Sequence, residues 1–185
     1  ADAGYEIEEI DLPLLRECGM EGYRTLMGEV KALMGPDIRE HGSNTVNAIF
    51  NEYFDQFRPY EGDELLAMMA KRTHYAREWN LFLERYPLAL TPFLPQPFFA
   101  PDRDTEGPEG VREVLGAAIY SYSVNFTGLP AGSVPARLAD LPQGPQPINV
   151  QIVGRRWRED LVVDACAAIE SRIGRMCDAL WQRMS

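Results

Sequence analysis

Prolines stand at both ends of a short apolar run, Pro87-Leu88-Ala89-Leu90-Thr91-Pro92. A proline has no N–H to give a ladder and holds the residue before it in an extended conformation. The run therefore reads as a strand over 88–91 whose two ends must leave the sheet sharply. Two further apolar segments, 131–135 and 149–153, read as buried strands joined by a loop rich in Pro, Gln and Gly. A fourth segment, 5–10, sets Tyr5 and Ile7 against Glu6 and Glu8, the alternation of a strand with one wet face.

Helical spacing fills most of the remainder. Apolar residues recur at that spacing over 14–33, after Pro13, and Gly35-Pro36 is a stop signal. A second helix is expected over 45–57, with Val46, Ile49, Phe50, Tyr53 and Phe54 on one side, and a third over 63–85. A fourth covers 111–126. The last carries the stripe Val162, Cys166, Ile169, Ile173, Met176 and Leu180, with Glu159 and Asp160 opposing the dipole in its first turn. These stripes are core-packing faces. Residues 92–110 hold five prolines and many charges. They read as a surface excursion too apolar, at Phe93, Leu94, Phe98 and Phe99, to be a plain linker.

A chain of 185 residues fits one domain or part of a larger one. The formal charge of −10 argues against a nucleic-acid partner, which needs a basic face. Cys18, Cys166 and Cys177 have no metal or redox spacing. On one continuous helix, Cys166 and Cys177 would lie about 16 Å apart at roughly 1.5 Å per residue, beyond disulfide reach. An odd, scattered set is usual in a reducing cytoplasm, the expected location. No apolar run is long enough to span a membrane. The opening Ala1-Asp2-Ala3-Gly4 resembles a helix end closed by Gly4 and has no signal-peptide character, so the chain reads as a fragment.

No complete catalytic constellation emerges from spacing alone. His41 and His74 are the only histidines, and neither has a Cys or carboxylate partner at a useful spacing. Ser43, close to His41, reads as a helix N-cap. Asp102, Asp104 and Glu106 follow an i, i+2, i+4 pattern, but the glycine and terminal Glu of a calcium loop are misplaced, so they read as a solvated loop. Ser133 sits on a Gly-flanked turn without the G-x-S-x-G elbow. A serine nucleophile needs a base and an oxyanion hole, and no His, Lys or acid is near Ser133 in sequence.

The combination of motifs from 87 to 170 is more informative. Leu90-Thr91-Pro92, Asn125, Gly128-Leu129-Pro130, Ser133-Val134-Pro135, Pro147, Gln151-Ile152, Gly154 and Glu159-Asp160 follow one another as in the C-terminal region of the amidase signature family, which the chain resembles over nearly its whole length. The resemblance implies an α/β fold, the C-terminal part of the amidase signature fold, with mixed-sheet strands flanked by helices. It implies that residues 1–185 are the C-terminal portion of a single amidase domain. The family's Ser–cis-Ser–Lys triad lies in a Gly- and Ser-rich N-terminal half that is absent here. Lys31 and Lys71 are the sole lysines and no Gly-Gly-Ser-Ser run occurs. No catalytic residue is therefore expected in this chain, no cofactor or metal is implied, and Ser133 is read as structural.

The resemblance further implies a parent enzyme that cleaves a small-molecule amide through a serine acyl-enzyme. An esterase or carbamate hydrolase of the same family, or a non-catalytic interaction module, is the alternative. The loop after Thr91 would form one wall of the acyl pocket, with Thr91, Pro92, Phe93, Leu94 and Asn125 as substrate-binding candidates. Phe93, where the family often has Thr, favours aryl or alkyl amides. Ala118 stands where glutamyl-tRNA amidotransferase A subunits carry an Asp, which argues against a tRNA-dependent role. Asn149 replaces a family glycine and is expected to tolerate a left-handed backbone. The isolated chain is expected to bind the missing half or self-associate.

Overall fold

The computed structural model describes residues 2–142 and 144–184. Four helices come first: α1 (Leu15–Leu33), α2 (Gly35–His41), α3 (Asn44–Gln56) and α4 (Gly62–Arg85). Strand β1 (Leu88–Pro92) leads into the excursion, which contains a 3-10 turn at Arg103–Thr105. Helices α5 (Pro108–Gly116) and α6 (Ile119–Thr127) follow, then β2 (Ala131–Leu141), β3 (Gly144–Gly154), α7 (Glu159–Ile173) and α8 (Met176–Met184).

The strands form one antiparallel sheet in the order β1-β3-β2. Proline placement explains this order. β1 pairs with β3 only over the five positions from Val150 to Gly154, where β3 contains no proline. Pro145 and Pro147 lie in the half of β3 that has β2 as its single neighbour. Pro135 borders a register shift on edge strand β2, where Ala136 is the extra residue.

Each sheet face is closed by helices. Leu88, Val134, Val150 and Ile152 pack against Val162, Ala165, Cys166 and Ile169 of α7. Close approach is possible because two strand positions are glycine. A Cβ on Gly132 would stand 2.6 Å from Cys166 Sγ, and one on Gly154 would stand 2.5 Å from Val162 Cγ2. The opposite face places Ala89 and Val153 against Trp79 and Leu83 of α4, Val124 of α6 and Leu129. Beyond α4 and α6 lies α1, with Tyr23 stacked on Tyr122 at a centroid distance of 4.6 Å.

Several expectations are corrected. Segment 5–10 forms no strand: Tyr5, Ile7 and Ile10 are exposed, and no strand among the described residues pairs with them. Alternation supplies a face, but a strand also needs a neighbour to take its backbone groups. The supposed Pro/Gln/Gly loop is instead the extended body of the β2–β3 hairpin. Gly35-Pro36 ends α1 but opens α2, with proline in its first turn. The expected helix over 111–126 breaks between Gly116 and Ile119, and the last helix breaks at Gly174, φ 78°. Ser43 caps α3 as expected, its Oγ accepting from Val46 N at 3.2 Å. Gly4 has φ 86°; the helix end read at 1–4 includes Ala1, which lies outside the described residues.

Trp79 is 1% exposed and its indole N–H has no partner among the described residues, so its contribution is packing. Trp79→Ala is expected to destabilise the fold by about 3–5 kcal/mol. On the same helix, Leu66 is 69% exposed, and Leu66→Ala should stay within about 0.5 kcal/mol. Chemical denaturation of both variants checks the contrast.

Candidate functional site

At its C-terminal end β1 carries the first expected site residue, Thr91. In register, Thr91 faces Gln151 and Gln151 faces Ser133, so one cross-strand row contains all three. Thr91 is buried; its Oγ1 accepts from Gln151 Nε2 at 3.2 Å and donates to Pro92 O at 3.0 Å. From two positions along β3, opposite Pro135, Asn149 Nδ2 donates to Ser133 Oγ at 3.0 Å. Asn149 occupies ordinary strand backbone, so the left-handed tolerance invoked for it is not drawn on.

The chain leaves the sheet just beyond this row. Phe93 N donates to Asn149 O at 3.4 Å, extending the pairing one residue past exposed Pro92. Phe93, Leu94 and Phe99 are half-buried, while Phe98 is exposed with its ring 6.0 Å from that of Phe99. Thr91, Pro92, Phe93 and Leu94 are thus contiguous at one end of the sheet. Asn125 lies elsewhere, exposed on α6, and lines a groove of about 240 Å³ with Gly22, Thr25, Arg72 and Tyr122.

Ser133 is exposed, and its hydrogen bond is with Asn149. Neither lysine stands by as a base. Lys31 Nζ pairs with Glu61 at 2.6 Å and Lys71 Nζ with Glu17 at 3.4 Å. The Tyr75 hydrogen bond, aided by Glu17, holds the Lys71 ammonium above its ordinary range, the opposite of what a lysine base requires. Burial pushes the Cys18 thiol up to about 12 and raises Cys166 too, which makes both poor nucleophiles. His41 is exposed at the end of α2, and His74 lies 5.5 Å from the Tyr75 ring. Asp102, Asp104 and Glu106 form no cluster able to hold a metal among the described residues; Glu106 instead pairs with Arg103 at 2.6 Å.

Two arrangements escaped the sequence reading. The buried Thr91–Gln151 bond joins residues 60 apart in sequence, and strand register was the signal that could have found it. Glu113 gathers Gln96 and Arg103 onto α5, with no local pattern to announce it. Among the described residues no helix is long and apolar enough to cross a membrane.

Comparison with known proteins gives this geometry a context. A protein-family model described as Amidase matches residues 1–163. An indoleacetamide hydrolase of Bradyrhizobium japonicum is 29% identical over 183 residues, covering 98% of this chain and 38% of that protein. One of the glutamyl-tRNA(Gln) amidotransferase A subunits, that of Brucella anthropi, is 31% identical over 102 residues, covering 55% of this chain and 20% of that protein. Among solved structures, 6-aminohexanoate cyclic dimer hydrolase complexed with substrate superposes with a TM-score of 0.67 at 20% identity, covering 93% of this chain and 38% of that one. The chain thus shares the fold of that hydrolase structure while spanning well under half the length of these proteins. Matched by the family model over most of its length, the chain belongs to the amidase family, that of the amidase signature enzymes.

Proposed function

We propose that these residues are the C-terminal portion of an amidase that hydrolyses a carboxylic amide to an acid and ammonia or an amine. The observation that carries this reading is the family match over residues 1–163, joined to a chain whose two lysines are both engaged by carboxylates. In the complete enzyme a serine attacks the amide carbonyl while a second serine relays its proton to the leaving nitrogen, and a lysine serves as base. The C–N bond breaks, an acyl-serine ester forms, and water then releases the acid. The serines and the lysine belong to the remainder of the domain, which is the first partner of this chain. What this chain contributes is scaffold and one wall of the acyl pocket, built by Thr91, Pro92, Phe93 and Leu94, with Asn125 as a further contact.

The apolar character of that wall suits an aryl or alkyl amide. The name of the Bradyrhizobium japonicum relative, an indoleacetamide hydrolase, points the same way. Phe93→Thr in the complete enzyme is expected to shift preference toward smaller or more polar amides, by about 1–3 kcal/mol in relative transition-state binding. Specificity constants for an arylacetamide and acetamide measure it, and an unchanged ratio would reduce Phe93 to packing.

Ser133 has a structural place in this scheme, beside Asn149. Ser133→Ala in the complete enzyme should leave acyl-enzyme formation within about tenfold of the parent rate, against the losses of roughly a millionfold that follow deletion of a nucleophile. Burst kinetics with a chromogenic amide distinguish the two.

The 185 residues alone should show no amide turnover. They should either self-associate or, when co-expressed, associate with the remainder of the domain and regain activity with it. Light scattering and an amide-hydrolysis assay on one sample decide this: a monodisperse monomer counts against the reading, and turnover by the chain alone would end it.

A further inference from the structure

The excursion after β1 is held at both ends. Its near end is the backbone bond from Phe93 N to Asn149 O. Its far end converges on a single carboxylate of α5. Glu113 Oε1 accepts from Gln96 Nε2 at 2.9 Å, and Glu113 Oε2 accepts from Arg103 Nε at 2.8 Å. Arg103 Nη2 reaches that same Oε2 at 2.8 Å, and Nη1 reaches Glu106 Oε2 at 2.6 Å. Arg103 therefore touches two carboxylates through three nitrogens, with its side chain 22% exposed.

Backbone geometry fixes the same point. Asp102 takes a left-handed conformation, φ 61°, and its carbonyl accepts from Thr105 N at 2.9 Å. Gly110 of α5 lies against the Arg103 carbonyl so closely that a Cβ there would collide with its oxygen. Helix α5 is itself fastened to the helical layer. Gln56 Nε2 donates to Pro108 O at 2.6 Å, and the buried Tyr23 hydroxyl donates to Leu115 O.

A solitary exposed ion pair contributes little to stability and would not order a loop. Here the carboxylate has two donors from different points of the excursion, and the guanidinium forks between two acids. Shared geometry of this kind lowers the entropy lost for each bond formed. The near bond holds the excursion to the sheet and the far one to α5, so the aromatic stretch 93–99 lies between two fixed points.

We propose that Glu113 is a positioning residue: through Gln96 and Arg103 it holds the aromatic stretch 93–99 in one conformation and thereby sets the shape of the acyl-pocket wall. This rests on the reading of Phe93 and Leu94 as that wall. Glu113 touches no reacting atom and acts through the loop.

The test uses the complete amidase. In Glu113→Gln and Arg103→Lys, backbone amides over 94–106 should exchange with deuterium about tenfold faster, while those of β3 and α4 keep their rates. The charge-reversed pair, Arg103→Glu with Glu113→Arg, should restore most of the lost protection. KM for an arylacetamide should rise about three- to tenfold in the single variants with kcat nearly unchanged, and KM for acetamide should stay put. Unchanged exchange in both single variants, or a reversed pair no better protected than they are, overturns the proposal. Faster exchange with KM unmoved for every amide leaves the clamp in place and refutes the pocket-wall reading, and with it the substrate role of Glu113.

Discussion

The architecture depends on β3 finding a partner along both edges of its last five residues. From Val150 to Val153 this strand is paired to β1 on one side and β2 on the other, Gly154 N donates to Pro130 O at 2.9 Å just ahead of β2, and Gln151 to Gly154 are buried. A buried backbone donor without a partner costs as much as a lost hydrogen bond, so this stretch excludes proline and demands two neighbours. The prolines of all three strands respect that demand. They sit at the end of β1, at the bulge of β2 and in the single-neighbour half of β3. Helix α7 then settles on the face where Gly132 and Gly154 remove the Cβ atoms that would hold it off.

Much of this was legible from residues. Pro87 and Pro92 marked the shortest strand to within one residue, and the 63–85 pattern gave α4 almost to its ends. Ser43 announced the cap of α3. The motif chain from Leu90 to Asp160 pointed to the family that the comparison found. Helix α1 was legible in extent but not in its contact surface. Its closest approach to α6 is made by Gly19 and Gly22, where added Cβ atoms would stand 2.5 Å from Ile119 Cγ1 and 2.9 Å from Tyr122 Cδ1. Glycine carries little weight in an apolar stripe, so periodicity cannot register a contact made by the absence of a side chain.

Segment 5–10 and the long arms of the hairpin show the opposite limit. Both are questions of strand pairing, and local pattern answered each of them wrongly. Pro145 and Pro147 made 136–148 look like a loop, yet one free edge is enough to accommodate a residue without an N–H. Tyr5 and Ile7 alternate well, yet Ile7 is 72% exposed and the contacts of this segment are side-chain ones, such as Tyr86 Oη donating to Glu8 Oε1 at 3.0 Å. Pairing is a non-local property, and the partner determines it as much as the strand does. The Thr91–Gln151 bond and the Glu113 clamp were hidden for the same reason: each joins residues that only the folded chain brings together.

The site end of the sheet and the helical layer form one mechanical circuit. Ser123 of α6 donates to Leu15 O at 3.1 Å, which ties α6 to the start of α1. Gly128, at φ 70°, closes α6 with its N–H on Val124 O at 2.9 Å and turns the chain into β2. A left-handed residue there costs glycine little and most side chains about 1 kcal/mol or more. From β2 the circuit runs through β3 to β1, out along the excursion, and back through Glu113 to α5, which leads directly into α6. The excursion is therefore a bridge between two parts of a single packed body. Its aromatic residues cannot shift freely while Phe93 is bonded to β3 and Arg103 to α5. Under the pocket-wall role proposed for it, a fixed shape would discriminate between acyl groups by steric fit, a selectivity that an adaptable wall would forgo.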